Sequence, residues 1–498
     1  MPVANRAAAL FAIARRDPDK TAILFEGAAL SFADLARQVR IRANMLSRLG
    51  IGRGSHVGIM MKSSPEFIIT QQALFALGAV LTPINVMYRE NEVRHAVSCC
   101  DLSCILTAGD LEEELSDVGC RIMSINEACK ENEPQDSFEL APVNEDDPAM
   151  LLLTSATTGK AKGVILTAAN LAANYDTTPR WLGLDNRTVI LCALPLYNTF
   201  GLNQCINAML VTGATLVLLP RFDAEACIDM IAAHGCTFLP AVPTMLQKII
   251  DHPKAGRDAL GSLTGIMTGG APVPSSLLKR LVAAAPHVKV LTGYGLTEAS
   301  ALVTLTEVQL AGNGEIERNR TIGRVLDGMK LEILKGDGNR AAIGETGEIV
   351  ISGPNVMEGY YNAPADSAEA FAGAWLRTGD IGYVDADGYA FIVDRKKDVI
   401  IRGGQNIYPA DIEEILYQVD GVAEVAVVGQ ADEMLGEVPV AFVAPRQGSS
   451  PSVALMFERC GEHLASYKRP AAIYILEELP KGPTGKILRR ALRDVQHP

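Results

Sequence analysis

Charged residues are scarce in this chain, and most of the charge is negative. They make up 21% of the 498 residues, and 58 Asp and Glu against 45 Lys and Arg give a formal net charge of -13. Proteins that bind nucleic acids normally present a basic face to the polyanion. The charge balance therefore argues against a nucleic-acid partner, and any anionic ligand must be held by a few local cations.

Long apolar runs and paired cysteine motifs are also missing. No stretch reaches the ~18 apolar residues that a membrane-spanning helix needs, and the N-terminus lacks the layout of a secretion signal. Ten Cys are scattered, and only Cys99, Cys100 and Cys104 lie close together. No Cys-x-x-Cys pair has a matching second pair, so neither a zinc site nor a disulfide framework is indicated. These features predict a soluble protein of the reducing cytoplasm, with no transmembrane segment.

Internal repeats and low-complexity tracts are absent too, while 48% hydrophobic residues can form large cores. Apolar strand and helix patterns alternate from His56 to about residue 245, which is typical of mostly parallel sheets. Short strands with Gly-rich turns from about Thr321 predict a small β-rich subdomain. After the charged stretch 394–398 the alternation returns. We therefore predict an α/β fold: a large N-terminal domain (1–395) of αβα sheets, and a small α+β C-terminal domain (396–498).

The most informative stretch is the polar loop Thr154–Gly163, which contains Ser, Thr, Gly and Lys residues. It follows an apolar strand pattern at Ala149–Leu153 and precedes a helix-like segment, Val164–Asn174, with Thr167 as a plausible cap. Hydroxyls and backbone N–H groups can donate to phosphate oxygens, and lysines neutralise their charge. The Walker pattern is absent. The loop predicts a polyphosphate ligand, and an ordinary polar surface turn is the alternative.

Further loops follow apolar strands at Pro195–Gly201, Thr268–Pro272 and Thr292–Glu298. In open α/β sheets ligands gather at the carboxyl ends of strands, so these loops could share one site. Together with the phosphate loop and five motifs nearer the C-terminus, these loops resemble the adenylate-forming superfamily of acyl-CoA synthetases, luciferases and peptide-synthetase adenylation domains. Within that superfamily, the resemblance is greatest to medium- and long-chain or aryl CoA ligases. The motifs, in the family's order, are Thr154–Gly163, Gly269–Pro272, Tyr294–Glu298, Gly344–Ile349, Arg377–Asp380, Asp394–Asp398, Gly403–Pro409 and Pro480–Lys486.

The resemblance implies an acyl-CoA synthetase that uses ATP, Mg2+ and coenzyme A. A carboxylic acid reacts with ATP to form an acyl-adenylate and pyrophosphate. The small, mobile C-terminal domain then rotates about a hinge at Lys397, and the CoA thiol takes the acyl group. A carboxylic acid of pKa ~4 is already ionised at neutral pH, so the first step needs positioning and charge neutralisation rather than a base.

Site roles follow from the resemblance, motif by motif. Lys162, Thr297, Glu298 and Lys486 would be catalytic: Glu298 would also bind Mg2+, and Lys486 would reach the α-phosphate and the acid. Asp380 and Arg395 would hold the ribose. The remaining nucleotide- or CoA-binding residues would be Thr154, Ser155, Thr157, Thr158, Gly159, Gly270, Ala271, Pro272, Tyr294, Gly295, Gly403 and Gly404. The acid pocket would include Tyr197, Asn198, Asn203, Thr268, Gly269 and Gly293.

Some positions depart from the family pattern. Ala156 stands where the phosphate loop usually has Gly, and we predict a negative φ there, since a positive φ would strain Ala. Ala161 replaces a usual Pro. Asn198 replaces a common His and cannot titrate, so substrate preference can differ. Asn203 and Asn207 share one helix face, which predicts either a polar acid pocket or a solvated face.

Two other functions fit the sequence. The first is an adenylating enzyme that loads a carrier protein instead of CoA. The second is a nucleotide-binding protein that has lost catalysis, with Ala156 as the trace of that loss. Without the family, Asp380 would be a turn residue, Lys486 a solvated tail residue and Tyr294 a core aromatic. The acid could be long fatty, short branched, cyclic or aryl, and the protein could be a monomer or a homodimer.

Overall fold

The computed structural model describes residues 5–108, 115, 117–125, 138–154, 161–256, 259–482 and 487–493. Within them the helices span Ala8–Arg16 (α1), Phe32–Arg48 (α2), Pro65–Ala76 (α3), Glu90–Cys100 (α4), Ala168–Tyr175 (α5), Thr178–Leu182 (α6), Thr199–Gly201 (α7), Ala208–Thr212 (α8), Ala224–His234 (α9), Pro243–Asp251 (α10), Ser275–Ala284 (α11), Pro364–Ala370 (α12), Pro409–Tyr417 (α13), Val453–His463 (α14) and Arg489–Arg493 (α15).

The strands of the N-terminal half alternate with these helices, as predicted. They are Thr21–Phe25 (β1), Ala28–Ser31 (β2), His56–Met60 (β3), Val80–Pro83 (β4), Cys104–Thr107 (β5), Arg121–Ser124 (β6), Pro148–Leu153 (β7), Gly163–Thr167 (β8), Val189–Cys192 (β9), Thr215–Leu218 (β10), Phe238–Ala241 (β11), Gly265–Gly269 (β12), Lys289–Leu296 (β13) and Ala301–Glu307 (β14).

The strands of the C-terminal half follow each other with few helices between them up to residue 407. They are Thr321–Val325 (β15), Lys330–Leu334 (β16), Gly347–Ser352 (β17), Gly359–Tyr360 (β18), Phe371–Ala372 (β19), Trp375–Val384 (β20), Ala390–Arg395 (β21), Ile400–Arg402 (β22), Gln405–Ile407 (β23), Val422–Asp432 (β24), Gly436–Pro445 (β25) and Ala472–Ile475 (β26).

The largest sheet joins a parallel and an antiparallel part. Its strand order is β16-β17-β20-β21-β15-β14-β13-β12-β11-β9-β10-β1-β2. The strands from β10 to β13 pair in parallel, with helices connecting them. From β14 onward the pairing is antiparallel, which confirms the predicted β-rich subdomain after Thr321. The two parts meet at β13 and β14, beside the loops predicted to bind the nucleotide.

The second sheet has the order β18-β8-β7-β4-β3-β5-β6 and carries the phosphate loop. One prediction was wrong here: Val164–Thr167 is strand rather than helix. β8 (Gly163–Thr167) pairs antiparallel with β7, so the loop is the connection of a hairpin. The helix begins only at Ala168, after Thr167. The Thr167 side chain caps it by accepting the Asn170 N–H, so the predicted cap is confirmed.

The small C-terminal domain contains a sheet of its own. Strands β23, β22, β25 and β24 pair antiparallel in that order, and β26 joins β25 in parallel. Two clusters of buried side chains belong to residues between Ile400 and Leu492. The other two clusters belong to residues between Ala7 and Leu376. The fold is therefore a large N-terminal and a small C-terminal domain, each with its own core.

Polar contacts hold the small domain against the large one. The Arg320 guanidinium lies 2.8 Å from the Asp411 carboxylate, and the Ala410 N–H donates to Asp394 at 3.0 Å. Polar contacts of this kind are typical of interfaces that can separate. None of the helices in the part of the chain that the structure describes is long and apolar enough to cross a membrane.

Candidate active site

A large cleft lies between the two domains. The large domain contributes the carboxyl end of the β13 region and the hairpin β20–β21, and the small domain contributes the C-terminal tail around Lys481, Ile487 and Arg489. Parallel strands ending at one edge explain why separate motifs meet there. The cleft is lined by these predicted site residues: Tyr197, Asn198, Gly270, Ala271, Pro272, Gly293, Tyr294, Gly295, Thr297, Asp380, Arg395 and Lys397.

Asp380 is the most deeply buried carboxylate of this cleft, with 3% of the residue exposed. It lies on β20 directly opposite Arg395 on β21. The Arg395 Nε lies 3.0 Å from Oδ1, and the Tyr294 hydroxyl donates to Oδ2 at 2.5 Å. A carboxylate has about four lone-pair positions, so positions remain for further donors. Asp380 lies within strand β20 rather than in a turn, while Tyr294 packs against the hydrophobic core and also donates to Asp380.

Charge explains why this trio is stable. Burial raises the pKa of the Tyr294 phenol, and the Asp380 carboxylate raises it further, so the hydroxyl stays a neutral donor. Burial by itself would lower the pKa of the Arg395 guanidinium, but Asp380 together with Tyr294, Asp398 and Glu298 raises it by more, so Arg395 stays charged. A buried carboxylate needs a counter-charge and donors of this kind to remain ionised. Asp380 therefore faces the cleft as an acceptor with a cation and a hydroxyl donor beside it, as binding two neighbouring hydroxyls requires.

The ends of the phosphate loop are held together by the β7–β8 hairpin. Thr154 N–H donates to the Lys162 carbonyl at 3.0 Å, and Lys162 N–H donates to Thr154 Oγ1 at 3.1 Å. His95 Nε2 on α4 lies 2.7 Å from the Ala161 carbonyl oxygen. The loop thus leaves and re-enters the sheet at one point. Several predicted residues lie outside the described part of the chain: Ser155, Ala156, Thr157, Thr158, Gly159 and Lys486.

Lys162 and Glu298 are linked through one aromatic side chain. The Tyr360 hydroxyl donates to Glu298 Oε1 at 3.1 Å, and the Lys162 ammonium lies 5.0 Å from the centre of the Tyr360 ring. Lys162 also forms an ion pair with Asp366 on α12. Two predicted catalytic side chains of opposite charge are therefore held near each other by Tyr360.

The donor set fits Mg2+ brought in with a nucleotide. Among the described residues there is no group of three or more His, Cys, Asp or Glu side chains that could hold a metal. Mg2+ commonly binds one or two carboxylates together with substrate phosphates and water. Glu298, half-buried and accepting a hydrogen bond from Tyr360, is a carboxylate of that kind. It would supply the protein oxygen, and the bound ion would neutralise phosphate charge.

Close backbone approach explains the glycines of two motifs. A Cβ on Gly295 would lie 1.6 Å from the Ala301 carbonyl oxygen, and one on Gly269 would lie 2.6 Å from the Gly293 oxygen. The first contact arises because β13 turns back into β14 through the short 3-10 turn Thr297–Ala299. β13 extends to Leu296, so the predicted loop Thr292–Glu298 is strand up to that residue. Gly295 therefore sets where Thr297 and Glu298 lie.

Replacing Gly295 with Ala is expected to lower the thermal unfolding midpoint strongly, since overpacking against rigid backbone costs about 3 kcal/mol or more. Gly270→Ala is the matched control. Gly270 has φ +78° but open space around its Cβ position, so Ala costs only about 1–2 kcal/mol there. Differential scanning fluorimetry of both variants measures the difference. Equal midpoints would show that the β13–β14 contact relaxes easily.

Of the predicted acid-binding residues, one pair lines the cleft and another pair ends strand β12. Tyr197 and Asn198 line the cleft, and burial raises the pKa of Tyr197 to about 12. Asn198 Oδ1 accepts the Gly201 N–H at 3.0 Å and so caps the helical segment that follows. Thr268 and Gly269 end β12, where Thr268 is fully buried. Asn198 thus has a local structural role that a His would not fill in the same way.

Asn203 and Asn207 are placed differently from either prediction. They lie in a π-helical turn, Leu202–Asn207, and both are buried rather than solvated. Asn203 Nδ2 donates to Asn174 Oδ1 at 3.0 Å and to Thr178 Oγ1 at 2.9 Å. Asn207 Nδ2 donates to the Tyr175 carbonyl at 2.6 Å. The solvated face is therefore wrong, and Asn203 joins helices α5 and α6 instead of lining the cleft.

The hinge candidate lies between the two cores. Lys397 lines the cleft, and burial together with Arg395 lowers the pKa of its ammonium. Its carbonyl and the Asp398 carboxylate both face Arg493 of the C-terminal tail. Gly403 and Gly404 have φ of 56° and 81° and are exposed. These left-handed values favour glycine, so the turn between β22 and β23 presents bare backbone.

Sequence reasoning missed Tyr360, Asp366 and His95. The Gly359–Asn362 run has no charge pattern, and only the pairing of β18 with β8 brings Tyr360 beside the phosphate loop. Asp366 is one more acid in an acidic chain. His95 sits on an ordinary amphipathic helix. No local signal in the sequence distinguishes these side chains.

Comparison with known protein families identifies the family to which these motifs belong. Residues 10–361 match the family model described as AMP-binding enzyme, and residues 411–486 match the AMP-binding enzyme C-terminal domain. The chain belongs to the AMP-binding enzyme family. Relatives include a feruloyl-CoA synthase from Amycolatopsis sp, 34% identical with 96% of each chain covered, and a 2-succinylbenzoate–CoA ligase from Bacillus cereus, 33% identical with 96% of each covered.

Solved members of the AMP-binding enzyme family share the whole fold. ATP-bound MatB from Rhodopseudomonas palustris has a TM-score of 0.90 at 27% identity, with 99% of this chain and 98% of that chain covered. The o-succinylbenzoate CoA synthetase from Bacillus subtilis, in complex with its acyl-adenylate, has a TM-score of 0.88 at 29% identity, with 98% of each covered. The same synthetase is also known with ATP and magnesium ion.

The chain is therefore an AMP-forming acid–thiol ligase, an acyl-CoA synthetase that works through an acyl-adenylate. Its substrates and cofactors are a carboxylic acid, ATP, Mg2+ and CoA. Both domains of the family are present, and residues of the Gly269–Pro272, Tyr294–Glu298, Arg377–Asp380 and Asp394–Asp398 motifs line the cleft between them.

Proposed function

We propose that this acyl-CoA synthetase activates an aryl carboxylic acid. The Asp380–Arg395–Tyr294 trio in the interdomain cleft is the observation that carries the nucleotide-binding part of the proposal. The aryl preference rests on relatives whose names specify ferulate and 2-succinylbenzoate. Medium- and long-chain fatty acids, which the sequence also indicated, are the alternative for the acid.

In the first step, the acid carboxylate attacks the α-phosphate of ATP in line with the leaving pyrophosphate. Asp380 accepts the ribose hydroxyls, and Arg395 forms an ion pair with its carboxylate. Thr154 and Lys162, with Ser155, Thr157, Thr158 and Gly159, hold the β- and γ-phosphates. Thr297 donates to the α-phosphate, and Glu298 would hold Mg2+, which when bound would neutralise phosphate charge. The chemistry needs positioning and electrostatics rather than a base, which matches a site without a titrating His at position 198.

Adenine lies against Tyr294, with Gly270, Ala271 and Pro272 on the same side of the cleft. The acid lies toward Tyr197, Asn198 and Gly293. Lys486 reaches the α-phosphate and the acid carboxylate from the C-terminal tail, where an ammonium stabilises the charge that develops in the transition state. The neighbouring tail residues Lys481 and Ile487 line the cleft, which supports this placement.

In the second step, the small domain rotates about Lys397 and exchanges the Lys486 tail for the Gly403–Gly404 turn. This turn is exposed while the tail lines the cleft, as expected for a chain arranged for adenylation. Backbone without side chains lets a narrow pantetheine arm approach closely. We propose Arg395 as the last residue of the large domain, because the small-domain cores begin at Ile400.

Nine free cysteines among the described residues suit a reducing compartment, which supports a cytoplasmic location. Whether CoA alone or also a carrier protein accepts the acyl group follows from the assay below.

Pyrophosphate release from the purified enzyme tests the proposal, with a panel of aryl, fatty, short branched and dicarboxylic acids, each with and without CoA. We expect aryl acids to give the highest kcat/KM, with turnover that rises with CoA and yields thioester. Highest turnover with a fatty or dicarboxylic acid would contradict the aryl preference. A stoichiometric burst that CoA cannot relieve would instead indicate a carrier protein as the acceptor.

A further inference from the structure

Tyr360 occupies a fixed position beside the phosphate loop. It lies on β18 and pairs with Val164 of β8. Val164 comes two residues after Lys162 in the chain. Its N–H donates to Ser367 Oγ at 2.8 Å, and the next N–H, from Tyr361, donates to the Gly163 carbonyl at 2.8 Å. The backbone is therefore held on both sides, and the side chain cannot move far without breaking the sheet edge.

The two functional parts of this side chain contact two different groups. The hydroxyl donates to Glu298 Oε1, and the ring lies below the Lys162 ammonium. By donating to Oε1, the Tyr360 hydroxyl restricts rotation of the Glu298 carboxylate. The other carboxylate oxygen remains available for a metal.

The ring and Asp366 act differently on Lys162. Asp366 and Lys162 are both about two-fifths exposed, with 42% and 40% of the side chains accessible. Exposed ion pairs are weak, so a triphosphate can replace Asp366 at the ammonium. The aromatic face of Tyr360 attracts the Lys162 ammonium through its ring electrons. Unlike the Asp366 carboxylate, it does not compete with phosphate oxygens for the N–H donors of Lys162. Tyr360 can thus keep its contact with Lys162 when a nucleotide binds.

We propose that Tyr360 is a positioning residue for the Mg2+–triphosphate unit: its hydroxyl orients Glu298 toward the metal, and its ring supports Lys162 beneath the phosphates. The proposal rests on the proposed roles of Glu298 and Lys162. It adds that one side chain couples the metal ligand to the phosphate-binding cation. Outer partners that orient a metal ligand are typically worth about 10- to 100-fold in metal affinity or activity.

Binding of a non-hydrolysable ATP analogue, followed by isothermal titration calorimetry over a range of Mg2+ concentrations, tests this without turnover. For Tyr360→Phe we expect the Mg2+ concentration at half-saturation to rise about tenfold. Affinity for the analogue in EDTA should change less than about twofold, because the ring remains. For Tyr360→Leu we expect both effects: the raised Mg2+ requirement and a several-fold loss of metal-free affinity.

Tyr361→Phe is the matched control. Tyr361 is the adjacent tyrosine, but its ring packs against His56 at 5.0 Å. We expect wild-type Mg2+ dependence from this variant, and thermal unfolding midpoints near wild type for it and for Tyr360→Phe. Wild-type Mg2+ dependence in Tyr360→Phe, or equal weakening with and without metal, would overturn the proposal. If Glu298→Gln also leaves the Mg2+ dependence unchanged, the proposed role of Glu298 fails instead.

Discussion

Asp380→Asn is expected to reduce kcat/KM for ATP in adenylation by roughly 30- to 150-fold, equivalent to about 2–3 kcal/mol. The amide has the shape of the carboxylate but carries no charge. It must also turn an NH2 group toward either the Arg395 guanidinium, which forms an ion pair with Asp380, or the Tyr294 hydroxyl, which donates to Asp380. Arg395 then lacks its counter-ion, and the ribose loses a charged acceptor.

ATP–pyrophosphate exchange at varied ATP and varied acid measures this effect. We expect the loss to appear with ATP, while the KM for the acid stays near wild type. Asp385→Asn is the control, because Asp385 caps the turn of the same β20–β21 hairpin through backbone N–H groups of Asp387 and Tyr389. Asn can accept the same bonds, so that variant should keep normal exchange. A loss confined to the acid would contradict the ribose role of Asp380.

Lys486→Gln is expected to slow adenylation by about 10²- to 10³-fold, the usual effect of removing one group that stabilises transition-state charge. Transfer of a prepared acyl-adenylate to CoA should remain within about threefold of wild type, because in our proposal the tail leaves the site in the second step. A merely structural tail residue would slow both half-reactions to the same extent.

The two half-reactions are measured separately: pyrophosphate exchange for adenylation, and thioester formation from synthetic acyl-adenylate for transfer. Lys481→Gln is the control from the same tail. Lys481 is held by Glu424 at 2.9 Å and Glu478 at 3.2 Å, so its loss should affect stability more than either half-reaction. Equal slowing of both steps by Lys486→Gln would contradict the exchange of tail and turn.

Agreement between sequence and structure is closest where short-range rules apply. The capping of α5 by Thr167 follows from a side-chain hydrogen bond within three residues. Alternating strand and helix patterns predicted the parallel sheets, because a buried strand is apolar along its whole length. Gly-rich turns after Thr321 predicted the β-rich subdomain, because such turns mark the ends of short strands.

Sequence and structure disagree where contacts between segments far apart in the chain decide the secondary structure or the hydrogen-bond partners. Val164–Thr167 has an apolar pattern that suits a helix or a strand, and its pairing with β7 makes it a strand. Asn203 and Asn207 were expected on a solvated face or in a pocket. Their donors are instead satisfied by Asn174, Thr178 and the Tyr175 carbonyl. Burial of an amide is favourable only with such partners, and these come from other helices.

The sequence by itself determined the family, the order of the motifs and the chemical types at Lys162, Glu298 and Asp380, because such residues in ordered motifs serve one kind of chemistry. Only the tertiary structure decided which groups support them. Arg395 and Tyr294 reach Asp380 because β13, β20 and β21 lie in one sheet. Tyr360 reaches Glu298 and Lys162 because β18 pairs with β8. Contacts between strands far apart in the chain depend on how the sheets assemble, and no local pattern encodes them.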